Sequence, residues 1–527
     1  MAIQQLLTFE GGLSTKIAPH LIGRNEGIVC ENVDLEKGTL SPLKKPSIEG
    51  TTTGKYTEYN NGSFISNTDI TDERFYVKYA NRLYWSNANY GTYGIMKYDG
   101  TNEGVDAVAP SAPTVIAGVA LNHGPSTAME GIYSYTYTYV DTDGIESAPA
   151  PYAEIKVSGS SGAVDITFTD TPSVDIASRY IYRTGGNNPT YNLIAEVPKA
   201  TTSYLDNTRD IDVSRIELTT LDNFPPNTEL DMLIENLGTF WGSVGKQVFF
   251  SRAGGPEYWN PLDYIMLDKE CTGLGVFANS IIAFTESSVY RIDGYSRDTV
   301  SVSKLPYSQG CVDKDTITNI DTYLVWTSKN GICLFDGASV QVITKQSIAW
   351  DEFARVADTT YDDYTTEQWN SGLGFEITFS RGYRDKYFGI FTGGIIVLDV
   401  AMGLKVSTID LVGMKSLFYN DIDNVLYATD GAIVYACGGS NDKMDATWKT
   451  GRISDEGANI SKHYRSVELD GIPLSVEVFI DGISRKIYTN KDRFKLPAGS
   501  IGKDIQFEIT TNNDIRGIKY EYSNLKA

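Results

Sequence analysis

Short apolar runs separated by turns rich in Gly, Asn, Asp and Ser recur along most of the chain. The run GICLF at 331–335 is followed by Asp336-Gly337, and similar runs ending in Asp-Gly stand at 94–100 and 288–294. Apolar runs of this length, bounded by turn residues, are typical of β-strands joined as hairpins. Abundant Tyr and Gly and the scarcity of Leu- and Glu-rich runs favour the same conclusion. The pattern predicts an all-β protein.

The hairpins repeat at a regular distance. Five of them close at Ser251, Asp293, Asp336, Asp399 and Gly438. Most of these positions are 39 to 43 residues apart, which is the usual length of one β-propeller blade. The longer gap between the third and fourth contains 348–369, a segment that could carry a short helix, and is interpreted as a blade with an insertion. The period predicts a propeller of roughly five to seven blades.

A separate unit interrupts the propeller at 108–212. In YSYTYTYV, the four tyrosines at 133, 135, 137 and 139 alternate with Ser and Thr, which predicts a half-buried strand, and DTDG at 141–144 supplies the turn. Short strands over about 100 residues match the size of an immunoglobulin-like sandwich. The residues RYIYRTGG, YNLIAEV and TTSYLDN resemble the second half of a fibronectin type III module.

Four regions follow from these patterns. Residues 1–107 are expected to hold an N-terminal segment and the first blade, and 108–212 the fibronectin-like sandwich. Residues 213–445 are expected to form the remaining blades. Residues 446–527, with cleanly alternating strands, are interpreted as a small C-terminal β-domain, with closure of the propeller as the alternative.

The chain is acidic, with 67 acidic and 45 basic residues and a net charge of -22. This balance argues against a surface that holds nucleic acid through its phosphates. Plain solubility is the favoured explanation, and the balance is also compatible with a surface along which nucleic acid passes without binding. The N-terminal residues predict no signal peptide, and no apolar run is long enough to predict a membrane span.

Residues that carry chemistry show no site-like spacing. The cysteines lack a C-x-x-C pair and are expected to be buried free thiols: Cys30, Cys271, Cys311, Cys333 and Cys437. His20, His123 and His463 are far apart, and surface or capping roles are expected for them. DTDG at 141 and DIDN at 421 lack the ligand spacing of calcium loops. The sequence predicts no catalytic, cofactor-binding or metal-binding residue, and no cofactor.

The seven tryptophans raise the alternative of sugar binding. They are Trp85, Trp241, Trp259, Trp326, Trp350, Trp369 and Trp448. Packing in blade interiors and between blades is the favoured interpretation. A propeller glycosidase would need two carboxyl groups at a defined separation. The acidic residues single out no such pair, and DDY at 362–364 stands isolated.

Three segments carry motifs that point to one family. The first is FEGGLSTKIAPHLIGRNEGIVCENVDLEKGTLSPLKKP, with Gly11, Gly12, Asn32, Gly38, Leu40 and Lys44-Lys45-Pro46. The second is GKQVFFSRAGGPEYWNP, with Ser251, Pro256, Tyr258, Trp259 and Asn260, and the third is ATWKTGRIS at 446–454. In these residues the chain resembles the tail nozzle (tail tubular protein B-type) proteins of short-tailed bacteriophages, with a lysine pair where arginine is common. The resemblance implies that the N-terminal segment within 1–107 is a ring-contact segment.

The resemblance implies a non-enzymatic virion protein. It would form a homo-oligomeric ring, expected to be a hexamer, below the portal and adaptor, and DNA would leave through a negatively charged bore without specific binding. Tail fibres would be further partners, and assembly would take place in the host cytoplasm. A receptor- or glycan-binding tail adhesin is the alternative, supported by the sandwich and the aromatic residues.

Overall fold

The computed structural model describes most of the chain, and the ranges are residues 2–6, 8–60, 62–66, 74–86, 94–98, 102–104, 110–118, 129–158, 162–170, 176–348, 376–401, 403–420, 422–455 and 460–525. Within them the protein is all-β, as predicted. Its helical pieces there are single 3-10 turns at Leu35–Lys37, Asp210–Asp212, Lys314–Thr316 and Ile343–Gln346. The helix expected within 348–369 lies almost entirely outside the described residues.

The chain divides into two compact units. Unit 1 comprises Met1–Asp72, Cys271–Ile292 and Ser303–Ala527, and unit 2 comprises Glu73–Glu270 and Asp293–Val302. The chain therefore leaves unit 1 and returns to it twice, with the long segment 73–270 forming most of unit 2. The domain ranges expected from the sequence remain predictions beside this division.

Unit 1 contains antiparallel sheets of four strands in up-and-down order. The first is Gly273–Phe277, Ser280–Phe284, Val289–Asp293 and Ser301–Lys304. The second is Thr318–Ile320, Tyr323–Ser328, Gly331–Phe335 and Val340–Val342. The third is Ser416–Asn420, Val425–Thr429 and Ile433–Ala436, completed by the distant strand Ser47–Thr51. A small hairpin, Thr57–Asn60 with Ser63–Ser66, packs against the strand at 416–420.

The first strands of successive sheets in unit 1 contact one another. The strand at 273–277 contacts the one at 318–320, which contacts Phe379–Tyr383, which in turn contacts the one at 416–420. Between the first two sheets, the rings of Phe284 and Trp326 lie 4.7 Å apart, and both are fully buried. Each sheet thus buries a face against the next, because a small sheet cannot bury both faces alone.

A nine-stranded sheet joins the four strands between 379 and 409 to strands of the C-terminal region. Its strands, in spatial order, are Phe379–Tyr383, Lys386–Phe391, Gly394–Asp399, Lys405–Ile409, Gly27–Glu31, Ala446–Thr450, Ile505–Thr511, Ser475–Ile480 and Ile483–Thr489. The link is a parallel bridge between Glu31 and Thr408. A five-stranded sheet shares one hydrophobic core with the C-terminal strands of the nine-stranded sheet. Its strands are Ala2–Leu6, Ile518–Asn524, Lys462–Leu469, Arg493–Lys495 and Ile501–Gly502.

Unit 2 contains two more four-stranded sheets. One is Tyr76–Tyr79, Arg82–Ser86, Ile95–Tyr98 and Asn102–Gly104. The other is Ile234–Asn236, Thr239–Val244, Gln247–Phe250 and Tyr264–Met266. Their first strands contact each other, and Tyr84 and Phe240 meet edge to face at 5.1 Å between ring centroids. As in unit 1, each of these small sheets buries one face against its neighbour.

Two sheets enclose a separate core inside unit 2. One has Thr114–Gly118, Ala163–Thr167 and Ser203–Asp206; the other has Ala153–Val157, Gly131–Asp141, Ile176–Gly185 and Asn188–Pro198. The predicted alternation holds, since Tyr133, Tyr135 and Tyr137 all point into this core. The prediction of a half-buried strand was wrong. Thr136 and Thr138 on the opposite face are buried too, and donate hydrogen bonds to Ala150 O and Glu146 Oε1.

The residues at which the five repeated hairpins end occupy equivalent positions in these sheets. Ser251, Asp293, Asp336, Asp399 and Gly438 all lie at or just after the end of a third strand. At Asp336 the carboxylate accepts hydrogen bonds from the backbone N–H groups of Ala338 and Ser339, while Gly337 has φ +92°. The repeated Asp-Gly dipeptide therefore forms a tight turn, as the spacing predicts.

Candidate functional site

The first nozzle-like segment lies in unit 1 and runs closely against other backbone. Gly12 has φ +75°, and a Cβ there would stand 2.7 Å from Val406 O. The next residue, Leu13, donates its N–H to the same oxygen at 2.7 Å. Such an approach with positive φ is possible for glycine because it has no side chain. The Gly-Gly pair thus allows the N-terminal segment to lie on the strand at 405–409.

Asn32 joins three parts of unit 1. Its side-chain N–H donates to Asp445 O at 2.9 Å, and its Oδ1 accepts the N–H of Asp410 at 2.8 Å. Its own backbone N–H donates to Thr408 O at 2.7 Å. The residue is almost fully buried and has φ 58°, a conformation that asparagine tolerates better than most residues. Asn32 therefore connects the N-terminal segment, the strand at 405–409 and the start of the C-terminal region.

The first and third nozzle-like segments also pack together. The Phe9 ring meets the indole of Trp448 edge to face at 5.5 Å, and both are fully buried. Leu40 exchanges two backbone hydrogen bonds with Ile515, each 3.0 Å long. Residues from the two ends of the chain thus share one core, and aromatic pairs of this geometry contribute beyond their buried area.

A cleft of about 250 Å³ opens beside the 3-10 turn at 35–37. Lys386 lies in it, with its Nζ 2.5 Å from Glu36 Oε1 and 2.8 Å from the buried Asp399 Oδ2. Burial alone would lower the pKa of Lys386, but its hydrogen bonds to the two carboxylates outweigh this and raise it. The ammonium is therefore held charged, so it serves as an ion-pair partner and not as a base.

The second nozzle-like segment forms a loop in unit 2 with a buried carboxyl group. The indole N–H of Trp259 donates to Pro256 O at 2.7 Å, and the backbone N–H of Trp259 donates to Phe224 O at 2.8 Å. Glu257, between them, accepts a hydrogen bond from the Tyr84 hydroxyl at 3.3 Å. Its other oxygen has no hydrogen-bond partner among the described residues. Burial raises the pKa of Glu257, which favours the neutral acid.

Charged residues around Glu257 connect the turn at 141–144 to the sheet at 76–104. Lys97 lies 3.3 Å from Asp141 and 3.2 Å from Asp143, and Arg82 also pairs with Asp143. Burial would lower the pKa of Lys97, but the two aspartates raise it overall. The hydrogen bond from Arg82 lowers the pKa of Asp143.

These interactions assign the turn carboxylates a structural role. Asp141 Oδ1 accepts the N–H groups of Asp143 and Ile145, both at 2.8 Å, and its other oxygen faces Lys97. DTDG is therefore a turn, as the sequence indicates. The ion pairs fix the two-sheet core region to the sheet at 76–104.

The other residues considered from the sequence are scattered. His20 is exposed, His463 is half-buried, and His123 lies outside the described residues. The described part of the chain brings no three His, Cys, Asp or Glu side chains into metal-binding geometry. In the same part, no helix has the length and apolar character needed to span a membrane. The DDY at 362–364 also lies outside it.

The cysteines and tryptophans take packing roles. All five cysteines are free; Cys30, Cys311 and Cys333 are buried, and burial raises their pKa, to about 12 for Cys333. Of the tryptophans, Trp350 and Trp369 lie outside the described residues. The other five have at most 2% of their surface exposed, as the packing interpretation predicts: Trp85, Trp241, Trp259, Trp326 and Trp448.

Sequence reasoning missed two features. Glu257 stands inside a segment that was matched through its neighbours, and an acid beside Pro256 and Trp259 in an apolar loop was the available signal. The second is a basic stretch at 483–495, ISRKIYTNKDRFK, which carries five basic residues in an acidic protein. Its exposure is visible only in the structure.

No protein-family model and no curated protein matches the sequence. Among solved structures, the chain is similar to the Dos1 propeller, at 10% identity and a TM-score of 0.28, over 76% of this chain and 96% of that one. It is also similar to the β-propeller domain of the Trilobed protease from Pyrococcus furiosus, at 8% identity and a TM-score of 0.25, over 60% and 93%. AztD from Citrobacter koseri aligns at 9% identity and 0.26, over 75% and 100%. At these scores the likenesses say nothing about activity or partners.

Proposed function

We propose that this protein is a structural component of a virion, the tail nozzle of a short-tailed bacteriophage. In this role it forms a homo-oligomeric ring, a hexamer, attached below the portal and adaptor. DNA leaves through the bore of the ring, and tail fibres attach outside. The role is structural and not enzymatic, and assembly takes place in the host cytoplasm.

The observation that carries the proposal is the contact between two of the nozzle-like segments. Phe9 in the first segment packs on Trp448 in the third, and Asn32 hydrogen-bonds to Asp445 just before the third. Segments matched independently in the sequence thus meet in one buried junction.

The proposal also includes the fold of the protein. We propose that the four-stranded sheets are the blades of a closed propeller, and that the seven strands between 114 and 206 are the fibronectin-like sandwich inserted into it. Support comes from the strand at 47–51, which completes the sheet at 416–436 from the opposite end of the chain. Contacts between first strands of neighbouring sheets also support it.

The acidic balance fits passage of DNA. A net charge of -22 gives the protein surface a predominantly negative potential. Duplex DNA carries about one negative charge per 1.7 Å of axis, so a negative wall does not retain it. We propose that the bore of the ring is richer in Asp and Glu than the exterior.

Native mass spectrometry of the purified full-length protein tests the assembly. A closed ring of six subunits is expected, and an image of the ring should place carboxylates along its bore. A chain that stays monomeric at high micromolar concentration, alone and with adaptor protein added, contradicts the proposal. A bore lined by neutral side chains contradicts the proposed passage of DNA.

A further inference from the structure

The stretch Ile483–Lys495 forms a basic surface at the margin of the C-terminal region, here called the basic edge. The strand at 483–489 is the last strand of the nine-stranded sheet, and the strand at 493–495 is an outermost strand of the five-stranded sheet. Both therefore have one side without a neighbouring strand in the described structure. They follow each other in sequence, with only the turn at 490–492 between them.

Charge and apolar area coincide on the basic edge. Arg485, Lys486, Lys491, Arg493 and Lys495 are all exposed, against a single acid, Asp492. Ile483 is 60% exposed and Ile487 57%. A charged strand edge often serves only to prevent strand pairing, but large apolar side chains exposed beside the charges are typical of a binding surface.

The backbone geometry of the strand at 483–489 opposes a simple added strand as the mode of binding. A register shift between Val478 and Phe479 leaves Arg485 unpaired as a β-bulge in the edge strand. Bulges and lysines at an edge both oppose regular strand pairing. A partner must therefore contact the side chains, with acidic groups opposite the basic ones and apolar groups opposite the isoleucines.

The chain itself carries a surface of that chemistry. In the segment Ile211–Asp222, here called the acidic segment, Asp212, Glu217 and Asp222 are exposed beside one exposed base, Arg215, and Asp212 pairs with Arg209. Ile211 is 86% exposed, and Ile216 and Leu221 are also exposed. The two surfaces are opposite in sign of charge, and both expose apolar side chains. A contact between two different surfaces is heterologous, and it gives a closed ring when the rotation from one copy to the next closes.

We infer that the basic edge of one copy binds the acidic segment of a second copy of this chain. The inference rests on the proposed ring and names the surfaces that hold it together. Opposite charges across such a contact set register and speed of association. Since Debye screening shortens from about 10 Å at 0.1 M salt to about 3 Å at 1 M, high salt should weaken the assembly.

Charge reversal of the full-length protein tests the inference, with assembly measured by mass photometry. R485E/K486E is expected to raise the concentration at which the ring dissociates by at least about tenfold. E217K/D222K is expected to do the same, and the two pairs combined should restore the ring. The control K246E/K519E makes an equal charge change at exposed lysines elsewhere and should leave the ring intact. Unchanged circular dichroism and melting temperature verify folding of every variant.

Each contrary result has a distinct meaning. A wild-type ring that is unaffected by R485E/K486E overturns the inference and leaves the proposed function standing. A combined variant that stays dissociated overturns the pairing with the acidic segment. A monomeric wild type overturns both inference and function. Tight, salt-sensitive binding of a labelled 30-base-pair DNA duplex, lost in R485E/K486E while the ring persists, assigns the basic edge to nucleic acid instead.

Discussion

The side-chain amide of Asn32 donates a hydrogen bond to the carbonyl oxygen of Asp445 over 2.9 Å, although 413 residues separate the two in sequence. The same side chain accepts the backbone N–H of Asp410. One buried side chain therefore satisfies backbone groups at the end of a strand and at the start of the C-terminal region. The two hydrogen bonds join parts of the chain that are distant in sequence, so this residue has a large effect for its size.

Asn32→Ala should destabilise the protein by about 2–4 kcal/mol, because it removes two hydrogen bonds to backbone groups and places alanine at φ 58°. Denaturant unfolding, monitored by tryptophan fluorescence, measures the change. Asn490→Ala is the matched control, since Asn490 also has positive φ, 52°, but is exposed. Asn490→Ala should lower the free energy of unfolding only by the cost of placing alanine at positive φ, about 1–2 kcal/mol. Equal losses in the two variants would contradict the assigned role of the Asn32 side chain.

Gly12→Ala should be strongly destabilising, because the added Cβ would lie 2.7 Å from Val406 O and φ is +75°. Backbone strain and overpacking together predict a loss of about 2–4 kcal/mol. Gly413→Ala provides the control, with φ +85° and nothing within 4 Å of the new Cβ. A urea titration of both variants separates the close approach from the φ penalty. If Gly12→Ala unfolds no earlier than Gly413→Ala, the contact with Val406 is not a constraint.

Asp336→Ala should lower the melting temperature slightly at pH 7, and Asp336→Asn should lower it less, because an amide oxygen also accepts the N–H groups of Ala338 and Ser339. Those N–H groups, that of Ser339 first, lower the pKa of Asp336. A lowered pKa stabilises the folded protein above the unfolded value of about 3.9, and that stabilisation is lost as pH falls through the folded pKa.

Thermal melts of the three proteins at pH 7 and pH 2.5 measure this difference. The gap between wild type and Asp336→Ala should narrow at the lower pH. Asp298→Ala, at another exposed position, should show no such dependence. A gap that is constant with pH would mean that the carboxylate charge contributes nothing to the turn.

The strand and turn pattern could be read from the sequence because it is local. Asp336-Gly337 ends a strand by geometry that involves neighbouring residues only, and the period of the hairpins repeats that geometry. Burial of Thr136 and Thr138 could not be read in the same way. The face of the strand that carries these threonines is covered by residues 146–150. This contact arises from the tertiary structure, and the alternation of Tyr with Thr in the sequence does not predict it.

The junctions were visible in the sequence only as separate motifs. Gly12, Asn32 and Trp448 were each singled out by resemblance or composition, but their meeting depends on the strand at 405–409 and on Asp445. Glu257 was missed because its exceptional feature is burial beside Tyr84, and the sequence signal for that was only an acid placed between Pro256 and Trp259. The basic edge was missed because a run of charges is usually a solvated surface.

Glu257→Gln should stabilise the protein at neutral and alkaline pH. Burial raises the pKa of Glu257, so the folded state holds a proton that the unfolded state releases above about 4.3. A group with a raised folded-state pKa contributes less as pH rises from the unfolded value through the folded one, so wild-type stability falls across that window. Glutamine keeps an acceptor for the Tyr84 hydroxyl and does not ionise. The gain at pH 8 should be about 1–3 kcal/mol, the range for a poorly satisfied buried polar group, and near zero at pH 4.

Paired unfolding curves of Glu257→Gln and wild type between pH 4 and pH 8 measure this dependence. Glu229→Gln, at an exposed carboxylate of unit 2, should follow the wild type throughout. The competing influence is Lys97, whose charge lowers the pKa of Glu257 although burial outweighs it. If Glu257→Gln is instead destabilising at pH 8, the pair with Lys97 dominates, and the carboxylate is charged within the junction. A stabilising effect that grows with pH means that the folded state favours the neutral acid at Glu257, and that the ion pairs of Lys97 with Asp141 and Asp143 hold the junction without its charge.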